Sequence, residues 1–279
     1  MIVHAPGKLV LIGEYAVLDG AGAVVAAVDR GVGVERVRID GPLQISTPGD
    51  SRFVAAALEG ATGAYRFFDW NPPATSGKAG FGGSAAATVA ALAASGRPLS
   101  LAYTLHHRVQ GSGSGVDVFA SIHGDVRRFP DGASCRPPPM SVVWSGESAL
   151  TGPRVQRYLS WRGRDAFAAR TAELVSSFDQ DPVGVMRENA RMLLDMAVAA
   201  GVDYDRAALA RIRQHAAAAG GAAKASGAGG GDIAVAIFAD HDRKTMFERE
   251  ILRDGLQLIP VDIAPGVANV NFLQQGPSP

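Results

Sequence analysis

Three segments of this 279-residue chain combine glycine with hydroxyl or charged residues at spacings that suit phosphate chemistry. The first is Gly80-Phe81-Gly82-Gly83-Ser84-Ala85-Ala86, whose backbone N–H groups, followed by an alanine-rich helix, would form an anion site at a helix N-terminus. The second is Gly111-Ser112-Gly113-Ser114-Gly115-Val116-Asp117, which ends in a carboxylate at a helix start, where the helix dipole favours its ionised form. The third, Lys224-Ala225-Ser226-Gly227-Ala228-Gly229-Gly230-Gly231-Asp232, is a loop able to expose several backbone donors. Any one of them could be a glycine turn that lets a helix pack closely. Three together are costly to order unless backbone must approach a ligand. Residues 80–86 are neither a dinucleotide fingerprint, since no short βαβ unit with an acidic residue about 20 positions on follows, nor a Walker A loop, since the lysine is missing.

The elements that must hold these segments are legible from periodicity and breakers. Lys8–Ile12, Ala23–Val28 and Gly31–Ile39 read as strands with turn residues between the last two. A short helix over Ser51–Glu59, a strand over Tyr65–Asp69 and a loop over Asn71–Gly77 precede the first glycine cluster. Helices follow over Ala85–Ser95, Leu101–Val109 and Val116–His123, then a strand over Val126–Phe129. Pro137-Pro138-Pro139 can continue neither a helix nor a central strand, which places a domain boundary nearby: residues 1–136 form one domain and 137–279 the other. The second half reads as a strand at Met140–Trp144, helices over Asp165–Phe178, Pro182–Ala200 and Asp205–Ala219, and strands at Ile233–Phe238 and Leu256–Ile263. Mixed strands and helices in both halves imply an α+β protein. The tail after Phe272 reads as frayed.

Composition limits the partners. Lysine plus arginine number 27 and aspartate plus glutamate 27, so no overall basic field draws the chain to nucleic acid or to acidic membranes. The lone cysteine, Cys135, has no disulfide or metal-ligand companion, which favours a reducing, cytoplasmic setting. No apolar run approaches the roughly 18 residues of a membrane helix, and a Pro-Gly pair interrupts the N-terminus before a signal peptide could develop.

Ala5-Pro6-Gly7-Lys8-Leu9-Val10-Leu11-Ile12-Gly13-Glu14-Tyr15, Gly80 to Val89 and Lys224 to Asp232 resemble, in order, the three signature motifs of the GHMP kinase superfamily. The phosphomevalonate kinase branch is the most similar: its first motif has Gly-Glu-Tyr, its third closes on Asp where mevalonate kinases typically have glycine, and Gly113 to Asp117, Lys78 and Trp144 to Ala149 match as well. The resemblance implies an N-terminal α/β domain of the ribosomal protein S5 domain 2-like type and a C-terminal ferredoxin-like domain. It implies ATP and Mg2+ as cofactors and transfer of the γ-phosphoryl group to 5-phosphomevalonate. A monomer or homodimer with small-molecule partners is expected.

The resemblance also implies roles for residues. Gly80, Gly82, Gly83, Ser84, Ala85 and Ala86 would hold the ATP phosphates, with the Ser84 hydroxyl on magnesium; a helix N-cap role for Ser84 is compatible with that. Lys8, Lys78 and Asp117 would be catalytic, Lys78 screening the acceptor phosphate. Lys8, Tyr15, Ser112, Gly113, Ser145, Arg191, Ser226, Gly227, Ala228 and Gly229 would contact the acceptor, although Arg191 could equally be a surface residue. His106 stands where mevalonate kinases generally carry a magnesium-binding glutamate. Gly83 replaces the first of two serines usual in the family, and the span between the first two motifs is short for the branch, which puts the adenine pocket in question. The rivals are a GHMP kinase for mevalonate or a sugar, and a non-catalytic member of the fold.

Overall fold

The computed structural model describes residues 2–75 and 77–269, so the tail expected to fray lies outside the described residues. Strand β1 (Ile2–Ile12) is longer than the apolar run alone suggests, because it extends back through Pro6-Gly7, where its pairing with the next strand shifts register. That next strand, β2 (Ala23–Arg38), is one continuous element rather than two. Its middle does not turn: Asp29 donates its N–H to the Asp262 carbonyl, and its carboxylate accepts the Asp262 N–H at 2.9 Å, so the chain stays extended. Antiparallel β4 (Ala64–Trp70) and β5 (Val126–Phe129) pair with different stretches of β2, and β3 (Gln44–Ser46) pairs parallel with β4 to complete a five-stranded sheet.

Helices pack on this sheet. Asp50 caps α1 (Ser51–Ala57) by accepting the Arg52 N–H. The buried alanines of α2 (Gly83–Ser95) lie against β1 and β2, and α3 (Leu101–Gln110) and α4 (Val116–His123) flank it. Small side chains let α2 approach the sheet closely, which brings its N-terminus, where the glycine loop at residues 80–82 enters, level with the middle of β1.

The second sheet is antiparallel, built from β6 (Met140–Trp144), β7 (Ala222–Ala225), β8 (Ile233–Ile237) and β9 (Gln257–Ile259) in the order β7-β8-β6-β9. Read from the other edge this is fourth, first, third, second, the strand order of the expected ferredoxin-like arrangement. Between β6 and β7 run α5 (Thr151–Leu159), α6 (Arg164–Ser177), α7 (Pro182–Ala200) and α8 (Ala207–Ala218), and α9 (His241–Arg253) links β8 to β9. The first sheet is made only from residues before Pro137 and the second only from residues after Pro139, yet one hydrophobic cluster runs through both, from Leu9, Leu11 and Val24 to Val142, Val235 and Phe238. The halves therefore share a core. Among the described residues no helix is long and apolar enough to cross a membrane.

One of the buried polar residues is left without partners. Asn189 on α7 is fully buried between Met186 and Leu193, and neither its amide nitrogen nor its amide oxygen has a hydrogen-bond partner. An unsatisfied buried amide costs about 1–3 kcal/mol. Asn189→Leu should therefore raise the Tm, by roughly 2–4 °C per kcal/mol recovered in a chain of this size. A thermal melt showing no rise would mean that the amide is satisfied by a buried water.

Candidate active site

The site is assembled where β1, α2, α4 and the β7–β8 loop meet. The chain enters α2 through Gly80 and Gly82, at φ +81° and +76°. A Cβ on Gly82 would stand 3.3 Å from Lys8 Cγ and 3.4 Å from Asp117 Cβ, so glycine there both turns the backbone and admits two functional side chains. Gly82 caps α2 without a side-chain bond, which leaves the helix N-terminus facing outward with its dipole uncompensated.

Lys8 is buried on β1, and its ammonium donates to the Gly80 carbonyl at 3.1 Å and lies 3.9 Å from the Asp117 carboxylate. The loop, the lysine and the aspartate thus form one constellation, although 72 residues separate Lys8 from Gly80. Ser84, in the first turn of α2, has its hydroxyl 3.1 Å from His106 Nε2. The His106 ring is buried against Phe53, and burial lowers its pKa despite the opposing pull of Asp117, so at neutral pH it is an uncharged imidazole.

The third glycine segment is bound to β1 by polar contacts that the apolar core encloses. Lys224 is 1% exposed, and its ammonium donates to the Val10 carbonyl at 3.0 Å, the Ala225 carbonyl at 3.1 Å and the carboxylate of Glu14, itself 3% exposed. Burial pushes the Glu14 carboxyl up and the Lys224 ammonium down, and their mutual attraction opposes both shifts. Ser226 Oγ accepts the Val10 N–H at 2.9 Å, and the Tyr15 hydroxyl donates to the Ala228 carbonyl at 2.5 Å. A cavity of about 800 Å³ opens beside this junction, with Lys8, Glu14, Tyr15, Asp117, Gly227 and Ala228 on its walls.

No family model matches the sequence. The chain is 28% identical to mevalonate kinase of Archaeoglobus fulgidus over 292 residues, 92% of this chain and 99% of that protein. It is 27% identical to phosphomevalonate kinase of a Streptomyces species over 369 residues, 97% of this chain and 98% of that protein. Its fold matches a Listeria innocua protein, Lin0012, with TM-score 0.80 at 22% identity over 94% of this chain and 97% of that one. It also matches Streptococcus pneumoniae phosphomevalonate kinase in complex with phosphomevalonate and AMPPNP, with TM-score 0.72 at 18% identity over 95% of this chain and all of the other. Over nearly its whole length the chain is similar in sequence to two GHMP kinases, and it has the GHMP kinase fold.

On this GHMP kinase scaffold most of the expected residues converge. Lys8, Tyr15, Ser112, Gly113, Asp117, Gly227 and Ala228 line the cavity, and Gly80, Gly82, Gly83, Ser84, Ala85 and Ala86 form the loop and first turn of α2. A Cβ on Gly83 would meet nothing within 4 Å, so packing does not force the departure from serine. Ser226 and Gly229 belong to the third loop, but the Ser226 hydroxyl is committed to Val10. Three of the expected residues are not among those lining the cavity. Ser145 is buried outside the cavity lining and turns back on its own loop, donating to the Glu147 carbonyl at 3.0 Å. Arg191 is exposed on α7 and held there by Glu188 and Asp195, three residues before and four after it. Lys78 is exposed ahead of residues 80–86 and is not among the cavity-lining residues; its carbonyl accepts from Ser148 Oγ at 3.2 Å.

Other cavity-lining positions escaped the sequence reading. Tyr103, His107 and Gln110 line the cavity together with His106, which the sequence had singled out, a spacing of i, i+3, i+4, i+7 on α3 that could have signalled a shared polar face. Thr151 and Val155 come from α5, a helix the sequence did not disclose. Glu14 and Lys224 sat inside recognised motifs without an assigned task. Among the described residues no cluster of three or more His, Cys, Asp or Glu side chains could hold a metal. Magnesium usually takes one or two protein oxygens and completes its shell with phosphates and water; the Ser84 hydroxyl and the Asp117 carboxylate are the groups that could supply them.

Removing one member of a buried ion pair leaves an uncompensated charge, at a cost of about 3–5 kcal/mol. Lys224→Met should lose stability of that order in denaturant unfolding. Lys224→Met combined with Glu14→Leu should recover most of the loss, and a double variant no more stable than the single would show that the two side chains do not act as a pair.

Proposed function

We propose that this chain transfers the γ-phosphoryl group of ATP to (R)-5-phosphomevalonate, giving 5-diphosphomevalonate in isoprenoid precursor synthesis. The observation that carries the choice of acceptor is the partner of Ser84. A neutral histidine stands there, where mevalonate kinases generally have a carboxylate. A phosphorylated acceptor brings up to two more negative charges towards the triphosphate than an alcohol does, and at about 4 Å each like-charge contact costs several kcal/mol in a site of intermediate dielectric. A site with one carboxylate fewer suits that acceptor. The Streptomyces relative with this activity supports the reading.

The residues divide the work. The α2 N-terminus and residues 80–86 hold the triphosphate, while the Lys8 ammonium, fixed by the Gly80 carbonyl, lies where charge develops on the transferred group. Bound magnesium would neutralise charge on the β- and γ-phosphates. The attacking atom is a phosphate oxygen, which with a second pKa of about 6 is already ionised at neutral pH. Asp117 therefore acts by placing Lys8 and the magnesium rather than by removing a proton.

A second reading, mevalonate as acceptor, has the Archaeoglobus fulgidus relative in its favour. Release of ADP from Mg-ATP should be measured with phosphomevalonate, mevalonate, diphosphomevalonate, galactose and homoserine in parallel. The expected result is a kcat/KM for phosphomevalonate at least about tenfold above any other acceptor, a transition-state preference of roughly 1.4 kcal/mol. Turnover of mevalonate alone would overturn the choice, and no turnover with any acceptor would point to a non-catalytic member of the fold. Asp117→Asn should lower kcat by about 10²-fold or more, equally at pH 7 and pH 9. Recovery at high pH would instead identify Asp117 as a proton acceptor.

A further inference from the structure

Asp232, which closes the third glycine segment, sits against the phosphate loop rather than in the cavity. Its backbone is left-handed, at φ +55°, a conformation that glycine adopts more easily than any other residue. Something must hold an aspartate there. Its N–H donates to the Glu147 carbonyl at 2.7 Å, its carbonyl accepts the Ser145 N–H at 2.9 Å, and its Oδ1 accepts the Ala149 N–H at 3.1 Å. These bonds fix the aspartate to the segment after β6.

The other side of the carboxylate faces Gly80. A Cβ on Gly80 would stand 3.0 Å from Asp232 Cβ and 3.1 Å from its Oδ2, so the side chain packs flat on the Gly80 Cα. The carbonyl of the same Gly80 accepts from the Lys8 ammonium. The peptide that opens this loop is therefore held between Asp232, the residue just before β8 of the second sheet, and Lys8, which belongs to the first.

We propose that Asp232 is a positioning residue: through its packing on Gly80 it sets the orientation of the Gly80 peptide, and thereby both the nucleotide-phosphate loop and the Lys8 ammonium that the peptide anchors. This rests on the reading of residues 80–86 as the phosphate loop. Asp232 itself touches no phosphate in this role. Burial raises its pKa while Lys8 opposes the shift, in keeping with a carboxyl enclosed at the loop and close to the lysine.

Asp232→Gly separates this role from simple stability, because glycine is at ease at φ +55° while the side chain that supports Gly80 is lost. In the full-length chain its Tm should stay within a few degrees of the parent's, the relief of backbone strain at φ +55° offsetting the lost acceptor for the Ala149 N–H. Its Kd for ADP, measured by titration calorimetry, and its KM for ATP should both increase by about tenfold, a change of roughly 1.4 kcal/mol. Asp232→Asn keeps an oxygen for the Ala149 N–H and the packing on Gly80, so it should stay within about threefold of the parent in both measures. Parent-like ADP binding by the glycine variant would overturn the proposal, and so would an asparagine variant as weak as the glycine one, since the charge and not the packing would then matter. An Asp232→Gly protein that fails to fold would overturn it too, by making the side chain a stability element. A parent chain that binds no ADP would overturn the phosphate-loop reading and this inference with it, whereas a parent that binds alongside indifferent variants removes only the inference.

Discussion

The buried contact between Lys224 and Glu14 constrains everything around it. An ammonium removed from water must find several oxygens or lose its charge, and Lys224 finds them on the Val10 carbonyl, the Ala225 carbonyl and the Glu14 carboxylate. Two of the three belong to β1 or the residues just after it, so the β7–β8 loop cannot move away from the first sheet without exposing an unpaired charge. Lys8 is two residues before Val10 on the same strand, which places the two side chains on the same face. The ion pair thus fixes the distance between the site lysine and the third glycine segment. A hydrophobic pair could match its stability, but an apolar contact is non-directional and would specify the loop's register less closely.

The same economy explains why the glycine segments converge. β1 brings Lys8, α2 brings the phosphate loop, α4 brings Asp117, and the second sheet brings the third loop; no two of these are neighbours in sequence. What joins them is a shared core running from Leu9 to Val235, with polar ties at its edge: Lys8 to Gly80, Ser226 to Val10, Tyr15 to Ala228. Each tie runs from side chain to backbone, so the sheets position the loops and the loops position the side chains. A change in either sheet's packing would be felt at the Gly80 peptide before it reached any bound phosphate.

This division also accounts for what could be read in advance. Glycine clusters and the charged residues that end them are local in sequence, and a backbone that must approach a ligand leaves that signature whatever surrounds it; Gly80 to Ser84, Asp117 and Lys8 were legible for that reason. The elements held only by tertiary partners were not. β7 is Ala-Ala-Lys-Ala, poor in strand formers, and is extended because β8 pairs with it. α5 begins Thr151-Gly152-Pro153, which reads as a turn, and α9 buries only Phe247 and Ile251 of its thirteen residues. The strand foreseen to Ile263 stops at Ile259 because Pro260 has no N–H to give. Arg191 lies apart from the cavity for a related reason: similarity fixed its position along α7, while Glu188 and Asp195, one turn to either side, hold its guanidinium at the surface.

Charge is the remaining constraint. Around the phosphate loop Lys8 and Lys224 face Glu14, Asp117 and Asp232, and Lys224 is wholly occupied by Glu14 and backbone carbonyls. Lys8 lies near two carboxylates, Asp117 and Asp232, which offset part of its charge. The helix N-terminus with its unpaired N–H groups adds a positive end beside them. A carboxylate in place of His106 would add negative charge beside the Ser84 hydroxyl. A neutral imidazole there holds the hydroxyl without adding charge, which makes its burial as important to the site as its hydrogen bond.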